Sequence, residues 1–165
     1  SEAIMSTLKV NNVQNTSGDN ILGRVLQVVT STRGDMTTST SSSWATTGLE
    51  ATITPTSSSS KVLIQCSGPM TGFAGGANDH NSGALKVYRG GSGGTSVESE
   101  NRGLSMQYGS HSQYSDVHIL YLDSPSTTSA TTYTVMMKRT GGTATYSFIR
   151  DGQQTASLVL MEIGA

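Results

Sequence analysis

The chain has 165 residues, a net charge of -1, 34% hydrophobic residues and only 13% charged ones. That length suits one all-β domain, and the low charge excludes a solvated, charge-extended chain. Without a basic surplus there is no electrostatic footprint for nucleic acid or an anionic membrane, and no apolar run approaches the roughly 20 residues of a spanning helix, so membrane insertion is not expected.

Residues 1–23 read apart from the rest. The stretch 6–15 alternates weakly and then meets the turn-rich Thr16-Ser17-Gly18-Asp19-Asn20, which predicts a short extended N-terminal arm. It lacks the basic-then-apolar pattern of a signal peptide. Leu8, Val10 and the offset Val13 give the arm enough alternation for a partner to accept it as an edge strand, so they are the candidate docking residues. Asn15-Thr16-Ser17 matches a glycosylation sequon, a pattern short enough to arise by chance.

From residue 24 to residue 165, apolar runs alternate with breaks rich in Ser, Thr and Gly. Residues 25–29, continuous in apolar and β-branched character, predict a buried strand. Leu49, Ala51 and Ile53 share one face of a strand that Pro55 ends. Residues 61–67 put Val62, Ile64 and Cys66 in phase, and a long loop is expected over 70–82. Residues 84–89 form the next strand, with Gly90-Gly91-Ser92-Gly93-Gly94 as a hairpin tip. The stretch 113–123 is the longest, with Val117, Ile119 and Tyr121 on one face and Leu120 and Leu122 on the other. Tyr133, Val135 and Met137 mark another strand, and 157–163 closes the chain with apolar residues on both faces, which predicts a central strand. Weaker strands are expected at 36–40, 96–100, 104–108 and 145–149. No window has helical periodicity. About ten short strands punctuated by turns predict an antiparallel β-sandwich or jelly roll over 24–165.

Little in the chain supports catalysis. Cys66 is the single cysteine and sits in an apolar run, as a small buried hydrophobe does. His80, His111 and His118 are scattered; Asp116 and His118 share a strand face, where they read as outward polar residues rather than ion ligands. There is no Gly-x-Ser-x-Gly elbow, phosphate loop or cysteine pair, and the carboxylates are too dispersed for a glycosidase pair. No catalytic residue, cofactor or metal site is therefore assigned. Contact chemistry has more to work with. Trp44 ends a serine run, Phe73, Asp79 and His80 lie in or beside glycine-rich sequence, and Tyr108 and Tyr114 flank a turn. These six are the candidate surface or receptor contacts.

The stretch Met5-Ser6-Thr7-Leu8-Lys9-Val10-Asn11-Asn12-Val13-Gln14-Asn15-Thr16-Ser17-Gly18 resembles the opening of fibre-type virion proteins of tailed, marine-type bacteriophages. Gly23-Arg24-Val25-Leu26-Gln27-Val28, Gly48-Leu49-Glu50-Ala51-Thr52-Ile53-Thr54-Pro55, Ser60-Lys61-Val62-Leu63-Ile64 and the final Ala156-Ser157-Leu158-Val159-Leu160-Met161-Glu162-Ile163 are similar to their later strands, so the resemblance runs over nearly the whole chain. It implies a trimeric jelly roll broadly like the globular heads of the complement C1q and tumour necrosis factor group. It further implies a place in the virion, capsid or tail proteins as partners, and contact with the host surface, glycan included. It carries no catalytic residue. A typical tail fibre has a long shaft, whereas here only a short arm precedes the globular part. The expectation is therefore a small capsid-bound fibre or decoration protein, or a short tail fibre, and not an enzyme. The rival expectation is a lectin-like receptor-recognition protein that stacks sugars on Trp44, Phe73, Tyr108 and Tyr114.

Overall fold

The computed structural model describes residues 24–73, 81–99, 105–109, 113–143, 145–148 and 154–164, with backbone alone at 73, 81, 105–109, 113 and 114. The arm expected over 1–23, with Leu8, Val10 and Val13, lies outside the described residues, as do Asp79 and His80.

The described residues form eleven strands and no helix: β1 (Val25–Arg33), β2 (Thr37–Ser39), β3 (Ala45–Ile53), β4 (Lys61–Phe73), β5 (Asn81–Arg89), β6 (Thr95–Ser96), β7 (Ser105–Gly109), β8 (Gln113–Asp123), β9 (Thr131–Gly141), β10 (Thr145–Phe148) and β11 (Ala156–Ile163). They make two antiparallel sheets. The first runs β1-β11-β4-β8, with β10 and β2 continuing the β11 and β1 layers beside the upper half of β4. The second runs β3-β9-β5, with β6 and β7 both on the outer edge of β5. The chain passes repeatedly from one sheet to the other, so strands far apart in sequence become neighbours. This is a β-sandwich of the jelly-roll kind.

Alternation builds the core. Leu49 and Ile53 on β3, Ile64 and Met70 on β4, Leu85 on β5, Tyr133 and Met137 on β9, Tyr146 and Phe148 on β10 and Leu158 and Leu160 on β11 are fully buried between the sheets. Close approach is needed at Gly68, where a Cβ would stand 2.5 Å from that of Ala156, so β4 and β11 tolerate only glycine there. On β3 the register slips between Thr46 and Glu50, and Gly48 takes a φ of +76° that side-chain-bearing residues rarely adopt. The bulge turns Thr47 inward, where its hydroxyl donates to the Val135 carbonyl at 2.8 Å.

Four expectations need correction. The strand at 25–29 is not buried: among the described residues β1 is an edge strand paired only with β11, and Val25 and Val28 are more than half exposed. Its apolar character on both faces does not mean that both faces are covered by this chain. The strand at 61–67 continues as β4 to Phe73, and β5 already begins at Asn81, so both ends of the loop expected over 70–82 are strand, and its middle, 74–80, lies outside the described residues. Gly72, within the expected loop, pairs instead with Gln113 of β8. Of the strand expected at 96–100, the described residues 96–99 contribute only Ser96, in the two-residue β6. The closing strand, expected to have both faces covered, is central but has one face buried and the other half-buried.

The two ends of the sandwich differ. Arg24 and Gly164 lie at one end, joined by a 2.8 Å hydrogen bond from the Gly164 amide to the Arg24 carbonyl. The 54–60 and 124–130 connections and the Gly90–Gly94 hairpin share that end, by the pairing of Lys61 with Ile163, Val62 with Asp123 and Ile53 with Thr131. Phe73, Asn81, Gly109 and Gln113 lie at the opposite end.

Candidate functional site

The outward face of the first sheet is apolar at the Arg24 end. Register across four strands places Val28, Met161, Leu63 and Leu122 in one lateral row, and Thr30, Val159, Gln65 and Leu120 in the next. Leu120 is 70% exposed, Val28 54% and Leu122 46%. Leu63, Val159, Met161 and Ile163 are half-buried beside them. Further along, the same face turns polar: Thr32, Ser157, Ser67 and His118 form the third row, and Asp116 follows beyond it. Asp116 and His118 are both exposed there. Scattered surface apolar residues are ordinary, but an unbroken lateral row of four, with Val159 and Leu120 beside it among the polar Thr30 and Gln65, marks a contact surface on a rigid sheet.

The outward face of the second sheet is organised differently. Trp44, half-buried just before β3, lies under two ammonium groups: Lys86 Nζ is 4.8 Å from its ring centroid and Lys138 Nζ 4.6 Å. The Tyr88 ring stands 6.5 Å away, tilted by 52°. Lys86 is itself buried and pairs with Glu98 at 3.2 Å. Trp44 therefore fastens β3, β5 and β9 together.

At the Arg24 end the connections enclose a shallow polar cleft of about 780 Å³, lined by Glu50, Arg89, Ser92, Pro125, Thr127 and Thr132 among others. Arg89 is one of its lining residues. Its Nη1 donates to both oxygens of Asp123, at 3.0 and 2.9 Å, and to the Ser124 carbonyl at 3.2 Å. The Tyr133 hydroxyl donates to Asp123 Oδ2 at 2.7 Å. Burial, reinforced by that bond to a carboxylate, pushes the Tyr133 phenol well above the ordinary tyrosine range.

A second buried carboxylate closes the first sheet. Glu162, fully buried on β11, accepts from Gln27 Nε2 at 2.6 Å and from the Thr56 amide and hydroxyl at 2.7 Å each. Burial opposes ionisation, but these hydrogen bonds outweigh it and hold the carboxyl down at about 2. Cys66 is buried as expected, and burial pushes its thiol up to about 12. Among the described residues no three His, Cys, Asp or Glu side chains gather as a metal site would require.

The other contact candidates fall into register positions at the end opposite Arg24. Phe73 pairs with Thr145 and Tyr114 with Thr71, while Tyr108 pairs with Ser82 in the other sheet. Trp44 also lies toward that end but on the outward face of the second sheet, apart from Phe73 and Tyr114 in the first. The apolar block was only half visible beforehand: Leu120 and Leu122 stood out, whereas Val28, Leu63 and Met161 needed the strand order to join them. Glu50, Arg89 and Thr132 gave no signal, since they come from three different strands. No known protein family matches the chain, and no curated protein sequence is significantly similar to it.

Proposed function

We propose that this chain is a non-enzymatic virion structural protein of a bacteriophage, of the capsid-bound fibre, decoration or short tail-fibre type, that works as a homotrimer. The observation that carries the proposal is the apolar outward face of the first sheet, from Val28 through Met161 and Leu63 to Leu122, on a jelly roll whose sequence resembles fibre-type virion proteins. A monomer leaves those side chains in water. Covering an exposed valine or leucine contributes roughly 1–2 kcal/mol, so a face of this kind repays the ordering cost of association when several are covered together. A ring of three copies closes on itself and leaves no open interface to grow into filaments.

In this arrangement the first sheet faces inward between subunits and the second sheet faces out. Residues 1–23 leave from the Arg24 end and dock on capsid or tail proteins. The opposite end, with Phe73, Tyr108 and Tyr114, points away from the particle toward the host surface and its glycans. Gold-labelled antibody against the protein, applied to purified particles, tests the assignment. Regularly spaced label on capsid or tail is the expected result; particles free of label while the protein stays in the lysate would contradict it.

A further inference from the structure

We propose that the cleft between the Gly90–Gly94 hairpin and the 124–130 connection binds a neutral saccharide. Arg89 is held there: all its side-chain hydrogen bonds among the described residues leave from Nη1, to the Ser124 carbonyl and to Asp123, which Tyr133 anchors in turn. Its Nε and Nη2 donors are unspent, and its side chain is one-third exposed. A fixed guanidinium gives directional donors at little further entropic cost. Glu50, also in the lining, is exposed and supplies a carboxylate acceptor, steadied by the Thr134 hydroxyl at 3.1 Å. The hydroxyls of Ser92, Thr127 and Thr132 can donate or accept, and Pro125 offers an apolar surface for the C–H face of a pyranose.

Charge selects the class of ligand. The Arg89 cation is met by Asp123 at 2.9 Å, which leaves Glu50 as the net charge of the lining. An anionic ligand, acidic sugar or phosphate, is therefore disfavoured. A polar, shallow lining does not suit an apolar ligand either. A polyhydroxylated neutral molecule matches its mix of donors and acceptors. Glu50 and Thr132 lie on the outward face of the second sheet, so the cleft stays open when the apolar face of the first sheet is covered. The proposal does not depend on the virion assignment.

Amide NMR of the full chain, titrated with methyl glucoside, methyl galactoside, methyl mannoside and N-acetylglucosamine, tests it, with glucuronate as the acidic control. At least one neutral sugar should shift the amides of residues 90–93 and 130–132, saturating at millimolar concentration, with glucuronate weaker. Glu50→Gln keeps an oxygen for Thr134 and should weaken binding about tenfold, the usual loss when a charged acceptor becomes neutral. Ser92→Trp, at an exposed hairpin position, should fill the cleft and abolish it. No saturable shift with any of these sugars, shifts centred away from the cleft, tighter binding of glucuronate, or unchanged affinity in both variants would overturn it.

Discussion

Glu162→Ala is expected to destabilise the fold by about 2–3 kcal/mol. The carboxylate is fully buried and receives three donors, from Gln27 Nε2, the Thr56 amide and the Thr56 hydroxyl. Gln27 keeps a second acceptor, the Thr54 carbonyl at 2.7 Å, so its loss is partial. The Thr56 amide and hydroxyl lose their partner outright; at about 1 kcal/mol each for donors that water can partly reach, and a similar amount for lost packing, the sum is about 2–3 kcal/mol. For a chain of this size that lowers Tm by roughly 4–12 °C. Glu162→Gln keeps one acceptor but turns an amide toward a donor, and should cost about half as much. The pH dependence has a defined sign. The folded carboxyl lies at about 2, below its ordinary 4.5, so its stabilisation is complete above 4.5 and is lost as pH falls from there toward 2. Calorimetry from neutral pH downward should show the gap between the natural chain and Glu162→Gln closing across that window. An alanine variant melting within about 2 °C of the natural chain would refute the reasoning, because it would mean that Glu162 holds nothing that water does not replace.

Burial holds the Cys66 thiol at about 12, so iodoacetamide at mildly alkaline pH should label the protein only after denaturation; rapid labelling of the native protein would mean that the first sheet opens. Deleting residues 157–165 removes most of the strand between β1 and β4 together with fully buried Leu158 and Leu160, each worth about 2–5 kcal/mol, and should abolish folding. A soluble, cooperatively melting product would place that strand at the periphery. A chain starting at Gly23 should fold and trimerise yet no longer decorate purified particles; decoration by it would move the docking surface onto the jelly roll.

The strands were legible wherever side chains alternate against a core. The longest expectation, 113–123, coincides with β8, and Leu49, Ala51 and Ile53 are buried on one face as their phase demands. What failed depended on neighbours. The second half of β4 carries Gly68, Pro69 and Gly72, a loop-like composition, yet it is paired along β8 throughout. Along that side, β11 pairing ends at Ser67 and β10 pairing begins at Met70, so among the described residues no strand there requires an N–H from Pro69. In β1 the same alternation that fills a core also decorates an open face, and only the strand order separates the two cases. The polar sites were hidden for the same reason. Lys86 with Glu98, Arg89 with Asp123 and Tyr133, and Glu162 with Gln27 and Thr56 each join residues from separate segments, and no local spacing announces such meetings.

The outward face of the first sheet is proposed as an assembly surface. It is tested most directly by measuring the solution mass of the chain, by light scattering at micromolar concentration, beside that of a Leu120→Lys, Leu122→Lys double variant. Both leucines are exposed, so the variant should keep its far-ultraviolet circular dichroism. The natural chain should have three times the monomer mass of 17.2 kDa, and the double variant 17.2 kDa. A natural chain at 17.2 kDa, or a double variant that is still trimeric, would contradict the account.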